Sequence, residues 1–158
     1  MRTFKDAKGR AWELSVDVAV IKRLRTSIQF DLAGADVLAT VKRLIEDPIL
    51  TCDVVYAILQ PDLSGKGISQ EEFWSGMAGD PIEDALKALL EEITDFTPNR
   101  PARERLRLLL KTMGEMAQVK DAQADESVKT VVEKGLAWAA RAEATPGPGS
   151  GSSPVPSA

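Results

Sequence analysis

Apolar residues recur at three- and four-residue steps along much of this 158-residue chain, the spacing of one face of an α-helix. The clearest stripe comprises Ile82, Ala85, Leu86, Leu89, Leu90, Ile93 and Phe96. The acidic residues that fall off this stripe are Glu83, Asp84, Glu91, Glu92 and Asp95. The pattern therefore predicts an amphipathic helix with an acidic face.

Two helix starts lie close together at the beginning of this region. Ser69 and Glu72 have the spacing of a capping box, in which the Ser69 hydroxyl accepts from the Glu72 N–H and the carboxylate reaches back. Asp80 followed by Pro81 predicts a second start, with Asp80 as the N-cap and Pro81 where a missing N–H costs nothing. We expect two helices joined at a corner, with the intervening glycines in the turn.

The first residues alternate and predict a β-hairpin. Thr3–Lys5 and Ala11–Ser15 read as short strands, and the turn between them ends at Gly9, which is free to adopt positive φ. Phe4, Trp12 and Leu14 would share one face. Because an isolated hairpin is marginal in water, it should lie on the helices; use of its exposed edge for self-association is the alternative.

Three helices are predicted between the hairpin and the acidic region. They run from Asp17 to about Ile28, from Asp36 to Glu46, and from Asp47-Pro48 to about Leu59, followed by a polar loop over residues 60–67. The residues expected to face inward from the first are Val18, Ile21, Leu24 and Ile28. The third is apolar on nearly every side, so we expect it at the centre of the core, with Cys52 as a small core residue.

The C-terminal third changes character twice. A basic amphipathic helix is predicted from Pro101 to about Gln118, and its Arg/Lys face should fold back antiparallel onto the acidic helix. A weaker helix follows from about Asp125 to Glu143. The Pro/Gly/Ser-rich residues 144–158 are expected to be disordered.

The predicted fold is mainly α, with an N-terminal β-hairpin followed by a compact bundle of about six helices. Residues 1–120 would form this domain, residues 121–143 a loosely attached helix, and residues 144–158 the tail. No run of about 18 apolar residues predicts a membrane-spanning helix. A single cysteine cannot form an internal disulfide, which fits either a reducing compartment or indifference to redox.

Charge is distributed unevenly. Residues 44–99 carry 12 Asp/Glu against 2 Lys/Arg, whereas residues 1–43 and 100–120 are both net basic. An acidic centre between basic flanks indicates self-complementary packing or steering of a partner. It argues against a nucleic-acid-binding protein, which would show a basic domain with interleaved aromatic residues.

The residue types exclude several chemistries. With no histidine, neither a Ser-His-Asp nor a Cys-His arrangement can form, and structural zinc lacks ligands. Glu91 and Glu92 are adjacent on a helix and diverge, so they do not form a catalytic pair. We expect no enzymatic activity, metal or cofactor.

One stretch has a partial calcium-loop pattern. Residues 62–73 place Asp62 at position one, Ser64 at position three and Gly67 at position six of an EF-hand-like loop. Position five is Lys66, a cation where a ligand belongs, and position twelve is Phe73 in place of the bidentate glutamate. A Gly-rich turn followed by the Ser69 capping box is the favoured interpretation.

A diffuse pattern over about residues 2–111 resembles small phage and prophage proteins of the tail assembly chaperone type. The residues that carry it include Arg2-Thr3-Phe4, Asp6, Gly9-Arg10, Trp12, Asp17, Ile21-Lys22-Arg23, Asp31-Leu32, Asp53-Val54-Val55-Tyr56, Pro61, Ile68-Ser69, Glu72-Phe73, Ala78-Gly79-Asp80, Ile82-Glu83, Ala85, Ala88-Leu89-Leu90-Glu91-Glu92 and Asp95-Phe96.

The resemblance implies a non-enzymatic protein of the host cytoplasm that binds the long, hydrophobic tape measure protein and keeps it soluble. It also implies help in gathering tail tube subunits during virion morphogenesis. A structural minor tail or connector protein retained in the virion is the alternative. Recognition of a helical partner would use apolar anchors at helical spacing. The candidate partner-binding residues are Phe73, Trp74 and Met77, with Glu83, Glu91 and Asp95 as rim charges; core packing and simple solvation are the alternatives for each.

Overall fold

The computed structural model describes the chain through residue 144, with side chains through Arg141, and confirms a mainly helical fold with an N-terminal hairpin. Its elements are β1 (Arg2–Lys5), β2 (Ala11–Leu14), α1 (Val18–Ser27), α2 (Val37–Glu46), α3 (Pro48–Gly65), α4 (Gln70–Ser75), α5 (Asp80–Phe96) and α6 (Arg100–Ala144). The chain divides into a compact unit that ends at Met113 and a second that begins at Gly114. The predicted disorder of residues 145–158 lies outside the described residues.

The hairpin has the predicted strands and covers the helices. β1 and β2 are antiparallel, with Phe4 opposite Trp12 and Arg2 opposite Leu14. Gly9 has a φ of +77°, as the turn requires, and its N–H donates to the Asp6 carbonyl at 2.9 Å. The inward side chains of Phe4, Trp12 and Leu14 are buried, so the hairpin is stabilised by the helices beneath it.

α3 lies at the centre of the first unit, as its apolar composition predicts. It packs against α1, α2, α4, α5 and β2. Its buried residues are Thr51, Cys52, Val54, Val55, Ala57, Ile58, Leu59 and Leu63. Burial and the nearby charge of Asp53 raise the pKa of the Cys52 thiol, so this cysteine is a protonated core residue.

α3 is longer than the sequence indicates. The polar loop predicted over residues 60–67 is wrong, because the helix continues through Pro61 to Gly65. A proline cannot donate to the carbonyl four residues earlier, which here belongs to Ala57. Arg23 of α1 supplies a donor instead, since its Nη1 lies 3.4 Å from the Ala57 oxygen and 3.1 Å from the Ile58 oxygen.

α1 begins where predicted but buries a slightly different face. The Asp17 carboxylate accepts from the Val20 N–H at 2.8 Å and caps the helix. Val18, predicted to face inward, is exposed, whereas Val20 is buried beside Ile21 and Leu24. The wrong assignment arose because both valines fit an apolar stripe, and packing on α3 selects between them.

The sequence predicts two helix starts at the corner before α5, and the structure has one of them as predicted. The Ser69 hydroxyl accepts from the Glu72 N–H at 3.1 Å, which confirms the first helix start. At the second, Gly79 occupies the N-cap position with a φ of +70° and no side-chain hydrogen bond, and Asp80 is the first helical residue. The predicted Asp80 cap is therefore wrong by one residue.

α6 is one continuous helix, so the predicted break between Gln118 and Asp125 is wrong. The intervening residues contain neither proline nor glycine, and nothing in them stops a helix. Leu106 is buried in the core of the first unit, with Leu109, Leu110 and Met113 partly buried against it. Met113 is also the last residue of the compact unit.

We expect Arg23→Met to destabilise the protein by roughly 1–2 kcal/mol, because the carbonyls of Ala57 and Ile58 lose their side-chain donor. In a Pro61→Ala background the same change should cost less, since the substituted alanine restores the helical N–H. Urea denaturation of the two single variants and the double variant measures this coupling.

Lys22→Met is the matched control, because Lys22 is a solvent-exposed neighbour on the same helix. Its effect should stay within about 0.5 kcal/mol in both backgrounds. An equal cost of Arg23→Met with and without Pro61 would show that Arg23 does not compensate for the proline.

Candidate partner-binding surfaces

A buried carboxylate organises the hairpin turn. Asp6 Oδ1 accepts from the backbone N–H groups of Lys8 and Arg10, each at 2.9 Å. Its Oδ2 accepts from Arg10 Nε at 2.6 Å and from Trp12 Nε1 at 3.0 Å. The side chain has no solvent exposure, and these four donors satisfy both oxygens, as a buried charge requires.

Arg10 extends this network from the hairpin to α4. Its Nη1 donates to Glu72 Oε1 at 2.8 Å, so the Glu72 carboxylate does not complete the predicted capping box. Gly76 packs closely against the same groups. A Cβ at this position would lie only 3.1 Å from both Arg10 Nη2 and Asp6 Oδ2. We call Asp6, Arg10, Trp12, Glu72 and Gly76 the hairpin clasp.

The clasp sets the ionisation of Asp6. Burial raises the pKa of this carboxyl, but the hydrogen bonds from Trp12 and Arg10 and the charge of Arg10 outweigh it, so the pKa lies below its ordinary value. The charged form is therefore the stable one in the folded chain.

Four aromatic side chains lead from the clasp to the surface. The Trp12 and Phe73 rings meet edge to face, with centroids 5.7 Å apart, and Tyr56 lies 5.8 Å from Phe73. Trp74 follows at 6.1 Å from Tyr56. Phe73 is fully buried, whereas Trp74 is 42% exposed. The series therefore ends in an aromatic side chain that solvent or a partner can contact.

Trp74 adjoins the outward face of α3. Ile49, Asp53, Tyr56 and Gln60 follow one another at three- and four-residue steps on that helix and are exposed or half-buried. Glu71, one turn before Trp74 on α4, is also exposed. We call Ile49, Asp53, Tyr56, Gln60, Glu71 and Trp74 the Trp74 patch, and it combines apolar anchors with acidic neighbours.

The structure separates the six candidate partner-binding residues. Phe73 and Met77 are buried in the core, so of the three apolar candidates only Trp74 reaches the surface. Glu83 is exposed on α5. Glu91 and Asp95 form ion pairs with Arg2 of β1, at 3.1 and 3.0 Å. These six residues therefore do not form one surface, and sequence reasoning missed Tyr56, which joins Trp74 to the core.

The backbone of the hairpin, and not that of the basic segment of α6, lies close to the acidic helix. The elements whose backbones approach α5 in the described residues are β1, β2, α2 and α3, which corrects the antiparallel pairing expected with residues 101–118. Glu92, expected on a solvated face, is buried; its Oε2 accepts from the Val16 N–H at 3.1 Å and its Oε1 contacts the amino group of Met1. Glu91 and Glu92 point to different partners.

The second unit presents an apolar helix face. Five large apolar side chains of α6, each more than half exposed, recur at helical spacing: Val128, Val131, Val132, Leu136 and Trp138. Glu126, Lys129, Thr130, Glu133 and Lys134 fall on the other side of the helix by the same spacing. We call the five apolar residues the α6 apolar face; clustered exposed apolar side chains mark interaction surfaces.

The described part of the chain contains no group of three or more His, Cys, Asp or Glu side chains arranged to hold a metal ion. The calcium-like stretch is not an open loop, because Asp62 lies in the last turn of α3 and its carbonyl accepts from the Lys66 N–H at 3.0 Å. Through residue 144, no helix is both long and apolar enough to cross a membrane.

The chain matches no protein-family model, no curated protein and no solved structure.

We expect Asp6→Asn to reduce the free energy of unfolding at pH 7 by roughly 2 kcal/mol, because it removes the charged acceptor of Arg10 and Trp12. The pKa of Asp6 is lowered in the folded state, so its contribution is present above about pH 4 and is lost as the pH falls through the folded-state pKa. The difference between the two proteins should shrink as the pH falls below about 4, measured by denaturant unfolding from neutral to acid pH.

Asp95→Asn is the matched control, since Asp95 pairs with Arg2 at an exposed site. It should cost less than about 1 kcal/mol. A destabilisation by Asp6→Asn that stays constant from neutral to acid pH would contradict a structural role for the Asp6 charge.

Proposed function

We propose that this protein is a phage tail assembly chaperone that binds the tape measure protein during tail morphogenesis and performs no catalysis. The observation that carries the proposal is the α6 apolar face, which exposes five large apolar side chains on one side of a helix. The identity of the partner comes from the resemblance over residues 2–111. A long, hydrophobic, helical partner would cover this face until the partner is incorporated into the tail.

The spacing of the α6 apolar face suits a helical partner. Residues at i, i+3, i+4 and i+8, here Val128, Val131, Val132 and Leu136, are the positions through which amphipathic helices pack together. Gly135 lies between these residues and has no atom within 4 Å of a Cβ position, so a second backbone can approach closely there. Trp138 supplies a large aromatic anchor of the kind that dominates interfaces.

The Trp74 patch supports a second contact with the same partner. Trp74 and Tyr56 provide rigid aromatic area, and Asp53 and Glu71 add negative charge in a part of the chain with an excess of acidic residues. Such a surface favours an amphipathic helix with basic residues beside its apolar stripe. Tail tube subunits, which the resemblance also implies as partners, would be gathered on the same assembly.

The proposal expects a neighbouring gene that encodes a very long helical protein, and co-expression with that neighbour tests it. The wild-type protein should move that neighbour from the insoluble to the soluble fraction. Val132→Asp with Leu136→Asp should abolish the effect, because two charges would be placed in the apolar contact. Soluble neighbour protein is measured after centrifugation, and a pull-down with this chain shows whether the two are bound.

Thr130→Asp with Ala137→Asp is the control, since it adds the same charge on the opposite side of α6. It should behave like the wild type. A neighbour that is equally insoluble with and without this chain would overturn the chaperone proposal. Mass spectrometry of purified virions distinguishes the alternative, because a chaperone should be missing from particles whereas a minor tail or connector protein would be retained.

A further inference from the structure

The outer edge of β1 has unused backbone hydrogen-bonding groups. The Asp6 N–H donates to the Arg10 carbonyl at 3.0 Å, and the register pairs Phe4 with Trp12 and Arg2 with Leu14. Because bonded and non-bonded pairs alternate in an antiparallel ladder, Thr3 and Lys5 direct their N–H and C=O groups away from β2. An edge of this kind can pair with another strand.

A groove lies beside this edge. It has a volume of about 600 Å³ and runs between β1 and one face of α5, to which Asp84, Lys87, Ala88 and Glu91 contribute. The volume falls within the usual range for ligand-binding clefts, roughly 300–1,000 Å³. β1 supplies four residues, a length that spans about 13 Å when extended. The groove therefore offers both a strand to pair with and a wall to contact.

The charges in the groove differ in whether they are already paired. Arg2 is paired with Glu91 and Asp95. Lys5 and Lys87 are exposed and have no ion-pair partner in the described part of the chain, and Asp84 is likewise unpaired. Two unpaired lysines against one carboxylate leave the groove able to accept an acidic side chain.

A second copy of the chain is disfavoured as the occupant. Pairing β1 with itself would bring Arg2 and Lys5 of one chain towards the same cationic residues of the other. Lysine on an exposed edge strand is one of the devices that prevent edge-to-edge association. The same positive charge would attract a strand with acidic residues, so the groove distinguishes binding segments by the sign of their charge.

We propose that the β1 edge and the adjoining face of α5 bind an extended acidic segment of another protein by strand addition. The bound segment pairs with the backbone groups of Thr3 and Lys5 and places a carboxylate between Lys5 and Lys87. This is a mode of recognition distinct from the helical contact proposed for α6, since main-chain pairing provides affinity and side-chain pockets provide sequence preference. It would give the chain a second class of partner.

The test uses the full chain and two capped synthetic hexapeptides, TVDVTV and TVKVTV. Titration followed by NMR should show stronger binding of the aspartate peptide. Amide exchange at Thr3 and Lys5 should slow when it binds, while exchange at Glu13 on the other edge stays unchanged. Lys5→Glu with Lys87→Glu should weaken the aspartate peptide about fivefold to tenfold and improve binding of the lysine peptide.

Lys22→Glu with Lys129→Glu is the matched control, because it makes the same change in net charge outside the groove. It should leave the preference for the aspartate peptide intact, and thermal melts of all variants establish that they remain folded. Equal affinity for the two peptides, or unaltered exchange at Thr3 and Lys5, overturns the proposal. Slowed exchange that depends on protein concentration without peptide also overturns it, because a second copy would then occupy the edge.

Discussion

The burial of one carboxylate determines how the hairpin and the helices meet. Asp6 has no solvent exposure and is charged, so it needs several donors at once. It obtains them from its own turn and from Arg10 and Trp12, and Arg10 then reaches α4 through Glu72. The position of Trp12 above Phe73 follows from this anchoring. A two-stranded hairpin that would be marginal alone is thereby attached to the core by both charge and packing.

A second constraint comes from a proline inside the central helix. Local rules place a helix end before Pro61. Tertiary structure overrides them because Arg23 donates to the Ala57 carbonyl, which the missing N–H leaves without its helical donor, and to the Ile58 carbonyl next to it. The extra turns carry Leu63 into the core and set the position of Ser69 and α4. The aromatic series that reaches the surface at Trp74 therefore depends on an interaction between α1 and α3 that lies far from it in sequence.

Features with a local cause could be predicted from the sequence. The Asp17 and Ser69 caps, the turn at Gly9, the stripe of α5 and the central place of α3 each follow from spacing or residue type, and the structure has them. Features that depend on which elements meet could not. Glu92 fits the polar face of α5 by its spacing, yet it is buried, because the Val16 N–H and the amino group of Met1 contact its carboxylate. Phe73 and Met77 are buried as well, because apolar spacing along α4 and the turn after it does not say which of these residues face the core.

The hairpin accounts for part of the acidic charge in residues 44–99. Glu91 and Asp95 are partly neutralised by Arg2, and Glu72 by Arg10, so part of the charge holds the hairpin in position. Among the other acidic residues of this region, Glu92 is buried, whereas the rest are exposed or half-buried: Glu46, Asp47, Asp53, Asp62, Glu71, Asp80, Glu83 and Asp84. Lys5 and Lys87 line the groove at β1. Salt screens exposed charges beyond about 10 Å, so each acts mainly on its near neighbours. The first unit has the acidic side chains of the Trp74 patch in one place and the lysines of the groove in another. The two proposals therefore assign partners of opposite charge to different surfaces of one compact unit.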